Sequence, residues 1–102
     1  MLDAINKGMS FIHNMDYESF LQDDKTQYAV IRAIEILGEA RKKIPAEIKK
    51  QAKDIPWRDI SGMRDVLIHD YFGVNAEVVW KTVKEDLPSL KTKLENLIEK
   101  LE

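Results

Sequence analysis

Cysteine is absent from the chain, which excludes a disulfide framework and thiolate metal ligation and makes a reducing cytoplasm the natural compartment. Histidine is scarce: there are two, and neither His-Glu-x-x-His nor Glu-x-x-His occurs, so the sequence offers no metal site and implies no cofactor. With four glycines there is no loop to cradle a phosphate. The longest apolar runs are a handful of residues, and no basic flank precedes an apolar stretch at the N-terminus, so neither a membrane span nor a signal peptide is expected. Alternating strand patterns, repeats and low-complexity segments are missing as well. What remains is an all-α chain of 102 residues, 44% hydrophobic and 33% charged, suited to a single domain over 1–102 around one core.

The net charge of −2 is unevenly placed. Residues 1–31 and 65–102 each sum to −3, whereas residues 32–64 carry nine basic and five acidic side chains. That middle stretch includes Arg41, Lys42, Lys43, Lys49, Lys50, Lys53, Arg58 and Arg64, and a polyanion could use it. For most of these lysines a solvated helix surface is the plainer reading, and the whole chain is not basic enough to indicate nucleic-acid binding from charge alone.

Hydrophobic periodicity predicts a bundle of four to five helices joined by short loops, up and down. Leu2, Ile5, Met9 and Ile12 mark a first helix over 2–12, and Tyr17 to Leu21 reads as a short turn of helix. His13, between them, has no apparent chemical partner. Asp23 and Asp24 suit the start of a long helix over 25–44 that is apolar around much of its circumference and is expected to be the most buried. Its narrow polar strip is Tyr28, Arg32, Glu35 and Glu39. Pro45 ends it and opens a short helix over 46–53. Asn75 is an expected N-cap for a helix carrying Ala76, Val79, Trp80, Val83 and Leu87. Pro88 then breaks or kinks the chain, and Leu90, Leu94, Leu97 and Leu101 continue as a bundle seam too short for a coiled coil.

The centre of the chain is Arg64-Asp65-Val66-Leu67-Ile68-His69-Asp70-Tyr71. From Pro56 onward, Trp57, Ile60, Leu67, Ile68 and Tyr71 form one helical stripe, and Arg64 falls on it, about 20° from Trp57 and Tyr71. An arginine starting from the core-facing side needs an anionic partner or a ligand. Glu35 or Glu39 is the candidate partner; the alternative leaves both on a solvent-facing strip, with Glu39 near Lys42 and Lys43. His69 is roughly 140° around and about 7.5 Å along from Arg64, so one regular helix cannot aim both at one atom. Either the helix ends near His69, as Gly73 permits, or a second copy of the chain completes the pairing. Gly62 and Val66 flank His69 on its own face, where a glycine lets another helix approach. On periodicity alone, a single histidine near a helix end is more often structural than catalytic.

The spacing of Arg64, His69 and Tyr71 resembles the signature of the HEPN superfamily, and specifically of its HepT-like toxins. The surroundings are similar too: Gly38-Glu39-Ala40-Arg41-Lys42, the run Ile55-Pro56-Trp57-Arg58-Asp59-Ile60-Ser61-Gly62-Met63-Arg64, His69-Asp70-Tyr71-Phe72-Gly73, Val79-Trp80 and Asp86-Leu87-Pro88. The resemblance covers nearly the whole chain. Family members commonly carry several more residues before the segment resembling Leu2-Asp3-Ala4-Ile5. The resemblance implies a homodimeric, HEPN-like helical bundle acting as a metal-independent endoribonuclease, encoded beside a minimal nucleotidyltransferase (MNT) that serves as its antitoxin. By position, Arg64 and His69 would be catalytic, Asp65 would belong to the wider motif, and Tyr71 would be the residue the partner modifies with AMP.

Those residue types suit the chemistry. Histidine titrates near pH 6.5 and can serve either proton step of RNA cleavage, and arginine offers a planar donor fork to phosphate oxygens. One histidine does not readily act as both base and acid in a single in-line step; a twofold axis placing two His69 side chains around one phosphate would. The competing reading is a non-catalytic helical subunit that docks a nucleotidyltransferase and binds nucleotide or partner in the same pocket.

Overall fold

The computed structural model describes residues 1–60 and 76–102, and every regular element among them is helical. In chain order they are α1 (Leu2–Phe11), α2 (Tyr17–Leu21), α3 (Asp24–Arg41), α4 (Ala46–Gln51), α5 (Ala76–Lys81), a π-helical turn (Thr82–Asp86) and α6 (Leu87–Leu101). The chain is all-α, as its periodicity predicts.

Two aspartates set the helix starts. The Ser19 N–H donates to the Asp16 carboxylate at 2.8 Å and opens α2; the Thr26 N–H (3.0 Å) and hydroxyl (2.6 Å) donate to Asp23 and open α3. These bonds favour the ionised form. The Ser19 N–H holds Asp16 below the ordinary carboxylate value, and the Thr26 hydroxyl, followed by its N–H, does the same for Asp23. Gln27 reaches back to donate to the carbonyls of Phe20 (2.8 Å) and Leu21 (3.2 Å), satisfying the end of α2. Between α1 and α2, Asn14 takes a φ of 61°, which asparagine tolerates better than most residues.

One apolar cluster runs from Ala4 and Ile5 through Phe20, Val30, Ile34, Leu37, Ile55 and Ile60 to Val79, Val83, Leu87 and Leu94. Helix α1 packs on α3, on α6 and on the π turn, and α2 packs on α3 and α5. The inward side of α1 is centred on Ala4, Ile5 and Gly8, with Leu2 and Met9 half-buried at its margins. A Cβ on Gly8 would lie 3.2 Å from Leu87 Cδ1 and 3.5 Å from Ala33 Cβ, so glycine is what lets three elements meet there.

The sequence reading needs correction at three places. The solvent side of α3 is wider than the narrow polar strip expected: Ile36, counted among its apolar positions, is 43% exposed and shares that side with Tyr28 and Arg32. It also stops at Arg41, and residues 42–44 tighten into bonds to the third residue back because Pro45 disfavours α geometry at Ile44. Leu101 is 48% exposed, so the α6 seam is Leu87, Leu90, Leu94 and Leu97. Pro88 does not break the chain. Its ring would strike the carbonyl four residues back in an α-helix, and the preceding turn widens instead, with the Leu87 N–H donating to the Thr82 carbonyl.

Candidate functional site

Arg64, Asp65, His69 and Tyr71 lie outside the described residues, as do Gly62, Val66 and the expected cap Asn75. The structure describes how the chain is held on either side of them. On the N-terminal side, Ile55 and Ile60 are almost fully buried, the Ile60 N–H donates to the Pro56 carbonyl at 3.1 Å, and helix begins at residue 57. Proline at the start of this turn supplies the required φ and sacrifices no helical bond. The half-buried Trp57 is tied twice: its indole N–H donates to the Ala52 carbonyl at 3.1 Å, and its own carbonyl accepts from Arg41 Nε at 2.9 Å. On the C-terminal side, α5 inserts Val79 into the core and rests Trp80 on the buried ring of Phe20, centroids 5.2 Å apart.

Glu39 is the one predicted site residue that is described. It is exposed on the last turn of α3, with its carboxylate 3.6 Å from Lys42 Nζ, while Glu35 pairs with Arg32 at 3.2 Å. Both are surface pairs of neighbouring residues and contribute little to stability. Their proposed pairing with Arg64 falls outside the described residues. What sequence reasoning missed is Arg41. Counted among the cations available to a polyanion, it instead spends its Nε–H on the backbone that leads into the Arg64 segment. The apolar run Ile55-Pro56-Trp57 sixteen residues on was the available signal, because a half-buried backbone carbonyl beside it needs a donor.

The rest of the basic stretch is solvated. Lys42, Lys43, Lys50, Lys53 and Arg58 are all exposed along the turn after α3, α4 and the loop beyond. This places a run of cations on the stretch of chain leading to Arg64. A groove of about 290 Å³ opens between Asp59 and Ile60 on one side and Asp86, Ser89 and Lys93 on the other. Another of about 290 Å³, lined by Tyr17, Trp80 and the charged residues around them, lies along α5 and the π turn. His13 is exposed at the end of α1. Among the described residues, no three His, Cys, Asp or Glu side chains are grouped to hold a metal ion, and no helix is long and apolar enough to cross a membrane.

Comparison with known proteins adds what the geometry of the described residues alone does not give. A protein of Thermococcus cleftensis named "Probable ribonuclease HepT" is 56% identical over 95 residues, covering 93% of this chain and 86% of that protein. A protein of Methanocaldococcus jannaschii, whose name proposes an RNase, is 46% identical over 102 residues, covering all of this chain and 88% of its own length. A longer protein of the same organism, named for both a gamma-glutamylcyclotransferase and a proposed RNase, is 37% identical over 102 residues that make up 46% of it. No solved structure matches. The profile described as "Ribonuclease HepT-like" matches residues 1–97, a span that takes in the capped starts of α2 and α3, the Arg41–Trp57 tie and the whole Arg64–Tyr71 segment. The chain therefore belongs to the HepT-like ribonuclease family.

Proposed function

We propose that this chain is a metal-independent endoribonuclease toxin that cuts RNA at a composite site of two copies, with Arg64 and His69 as the catalytic residues. The observation that carries this reading is the family match over 1–97, a span that contains Arg64, Asp65, His69 and Tyr71. One His69 takes the proton of a ribose 2′-hydroxyl, and the freed oxygen attacks the adjacent phosphorus. Arg64 places its fork on the phosphorane oxygens, and the His69 of the second copy protonates the departing 5′-oxygen. The products are a 2′,3′-cyclic phosphate and a 5′-hydroxyl. Asp65 and Glu39 are the supporting carboxylates in this reading, and the exposed lysines of residues 42–53 attract the polyanion.

An MNT-type nucleotidyltransferase antitoxin is the proposed partner. By attaching AMP to Tyr71 it adds bulk and negative charge where an RNA phosphate must bind, and so silences the enzyme.

The test is cleavage of single-stranded RNA by the purified protein in chelator. Products ending in 2′,3′-cyclic phosphate are expected, with rates falling steeply as salt rises. Arg64→Ala and His69→Ala are each expected to abolish cleavage while the helical circular dichroism is kept. Recovery of activity on adding back one divalent metal would overturn metal independence, and unfolding of Arg64→Ala would make the arginine structural.

A further inference from the structure

We propose that the groove between Tyr17 and Trp80 is a docking site for a nucleobase of the single-stranded RNA substrate. The inference takes its choice of ligand from the ribonuclease reading above, and its location from the packing of α2 against α5.

The groove encloses about 290 Å³ and is lined by Tyr17, Glu77, Trp80, Lys81, Lys84 and Glu85. Its aromatic floor is packed from behind. Phe20 is fully buried and lies 5.2 Å from the Trp80 ring at 46°, which fixes the indole from behind, and Tyr17 stands 6.0 Å from it at 51°. Tyr17 and Trp80 are both only half-buried, so each presents ring surface to the groove and to water. The Lys84 ammonium is 5.7 Å from the Trp80 ring centroid. An exposed cation over a ring is weakly held, whereas a base stacked on it gains more and does so whatever its identity. A base therefore displaces Lys84, whose ammonium is then free to face the neighbouring phosphate.

Charge argues for a base here rather than a cluster of phosphates. Lys81 and Lys84 are balanced by Glu77 and Glu85, so the groove is neutral overall, unlike the lysine-rich surface of residues 42–53. The Glu85 carboxylate can also accept from an exocyclic amino group of the kind cytosine and adenine carry. Chain length sets an upper bound on the distance to the chemistry: Glu77 is eight residues after His69, which limits their Cα separation to about 29 Å even with the intervening chain fully extended.

The test reads binding apart from cleavage. The protein is labelled with 5-fluorotryptophan, so that its two tryptophans give separate fluorine resonances, and titrated with a short 2′-O-methyl oligoribonucleotide that lacks the attacking hydroxyl. The Trp80 resonance is expected to shift with saturation and by more than that of Trp57, which lines a different groove. Tyr17→Leu keeps an apolar body at the start of α2 and is expected to weaken binding about 5- to 20-fold, raising KM for cleavable RNA by a similar factor. Lys84→Ala is expected to lower the slope of log affinity against log salt by about one. Saturable binding with no movement of the Trp80 resonance, or unchanged affinity in both variants, overturns the proposal while leaving the ribonuclease reading intact. AMP alone shifting Trp80 at the same concentration as the oligonucleotide overturns it too, since the groove would then serve a free nucleotide. A Trp80 shift by the oligonucleotide, with no cleavage of ordinary RNA, upholds the groove and removes the ribonuclease.

Discussion

Arg41→Ala separates a structural cation from an RNA-binding one. The substitution deletes the bond from Nε to the Trp57 carbonyl, 2.9 Å long and part-buried, and leaves that carbonyl facing a gap in the turn before Ile60. Hydrogen bonds with a charged member contribute about 1.5–3 kcal/mol to net stability. Because Arg41 is half-buried and water can replace part of the contact, the expected loss is about 1–2 kcal/mol. For a chain of this size that lowers the thermal midpoint by about 5–10 °C, measured at one fixed protein concentration so that self-association does not contribute. The bond fastens the backbone seven residues before Arg64, so cleavage should fall with stability and recover on cooling. The salt dependence of RNA affinity should not change, because in this reasoning the half-buried guanidinium serves the Trp57 carbonyl and makes no phosphate contact. An unaltered melting temperature combined with a salt slope reduced by one would refute the reasoning and return Arg41 to the polyanion surface.

Gly8→Ala should fall within about 1 kcal/mol of the parent, since the gain in helix propensity offsets a Cβ pressing on the mobile end of Leu87, whereas Gly8→Leu should cost about 2–3 kcal/mol in urea unfolding by overfilling the same junction. Asp23 has its folded pKa depressed, so its cap contributes fully above the unfolded value near 3.8 and is lost as pH falls through the folded one. The stability gap between parent and Asp23→Ala should therefore narrow below about pH 4; a gap constant down to pH 2 would mean the carboxylate charge is irrelevant. Light scattering at micromolar concentration should report a dimer, and a monomer would contradict the composite site. Tyr71→Phe should keep most cleavage but escape inhibition by the nucleotidyltransferase and ATP; equal inhibition of both proteins would place the modification elsewhere.

Local signals carried most of the fold. Asp23 and Asp24 marked the start of α3 because capping depends on a side chain and an N–H only three residues away, and the same local chemistry at Asp16 opens α2. The extent of burial was less legible. Ile36 reads as core by type and lies at the surface, since which side of α3 faces its neighbours depends on α1, α2 and α5 together. Leu101 fails in the same way at the end of its stripe. Pro88 shows a third case: the conflict between its ring and the helix was evident, but whether the chain would break or stretch depended on Leu87 and Leu90 being worth keeping on one seam. Of the site, the spacing of Arg64, His69 and Tyr71 was visible in the sequence. The Arg41–Trp57 bond and the Tyr17–Trp80 groove were not, because each joins elements far apart in the chain.

The π turn before Pro88 also sets a reading frame. Val79, Val83 and Leu87 follow one another at steps of four, which in an unbroken α-helix drift about 40° per step around the axis, and the wider turn takes that drift back before the Leu90–Leu94–Leu97 seam begins. Helices α5 and α6 are therefore a single rod with one surplus residue lodged in it. Deleting one residue within Thr82–Asp86 would remove the surplus and return the rod to α geometry with its leucines still in phase, whereas deleting one inside Ala76–Lys81 would rotate everything after it by about 100° and carry three leucines off the core without altering one of them. Length changes elsewhere along the rod have no proline beside them to favour a longer turn. This short stretch is where the two ends of the rod are kept in phase.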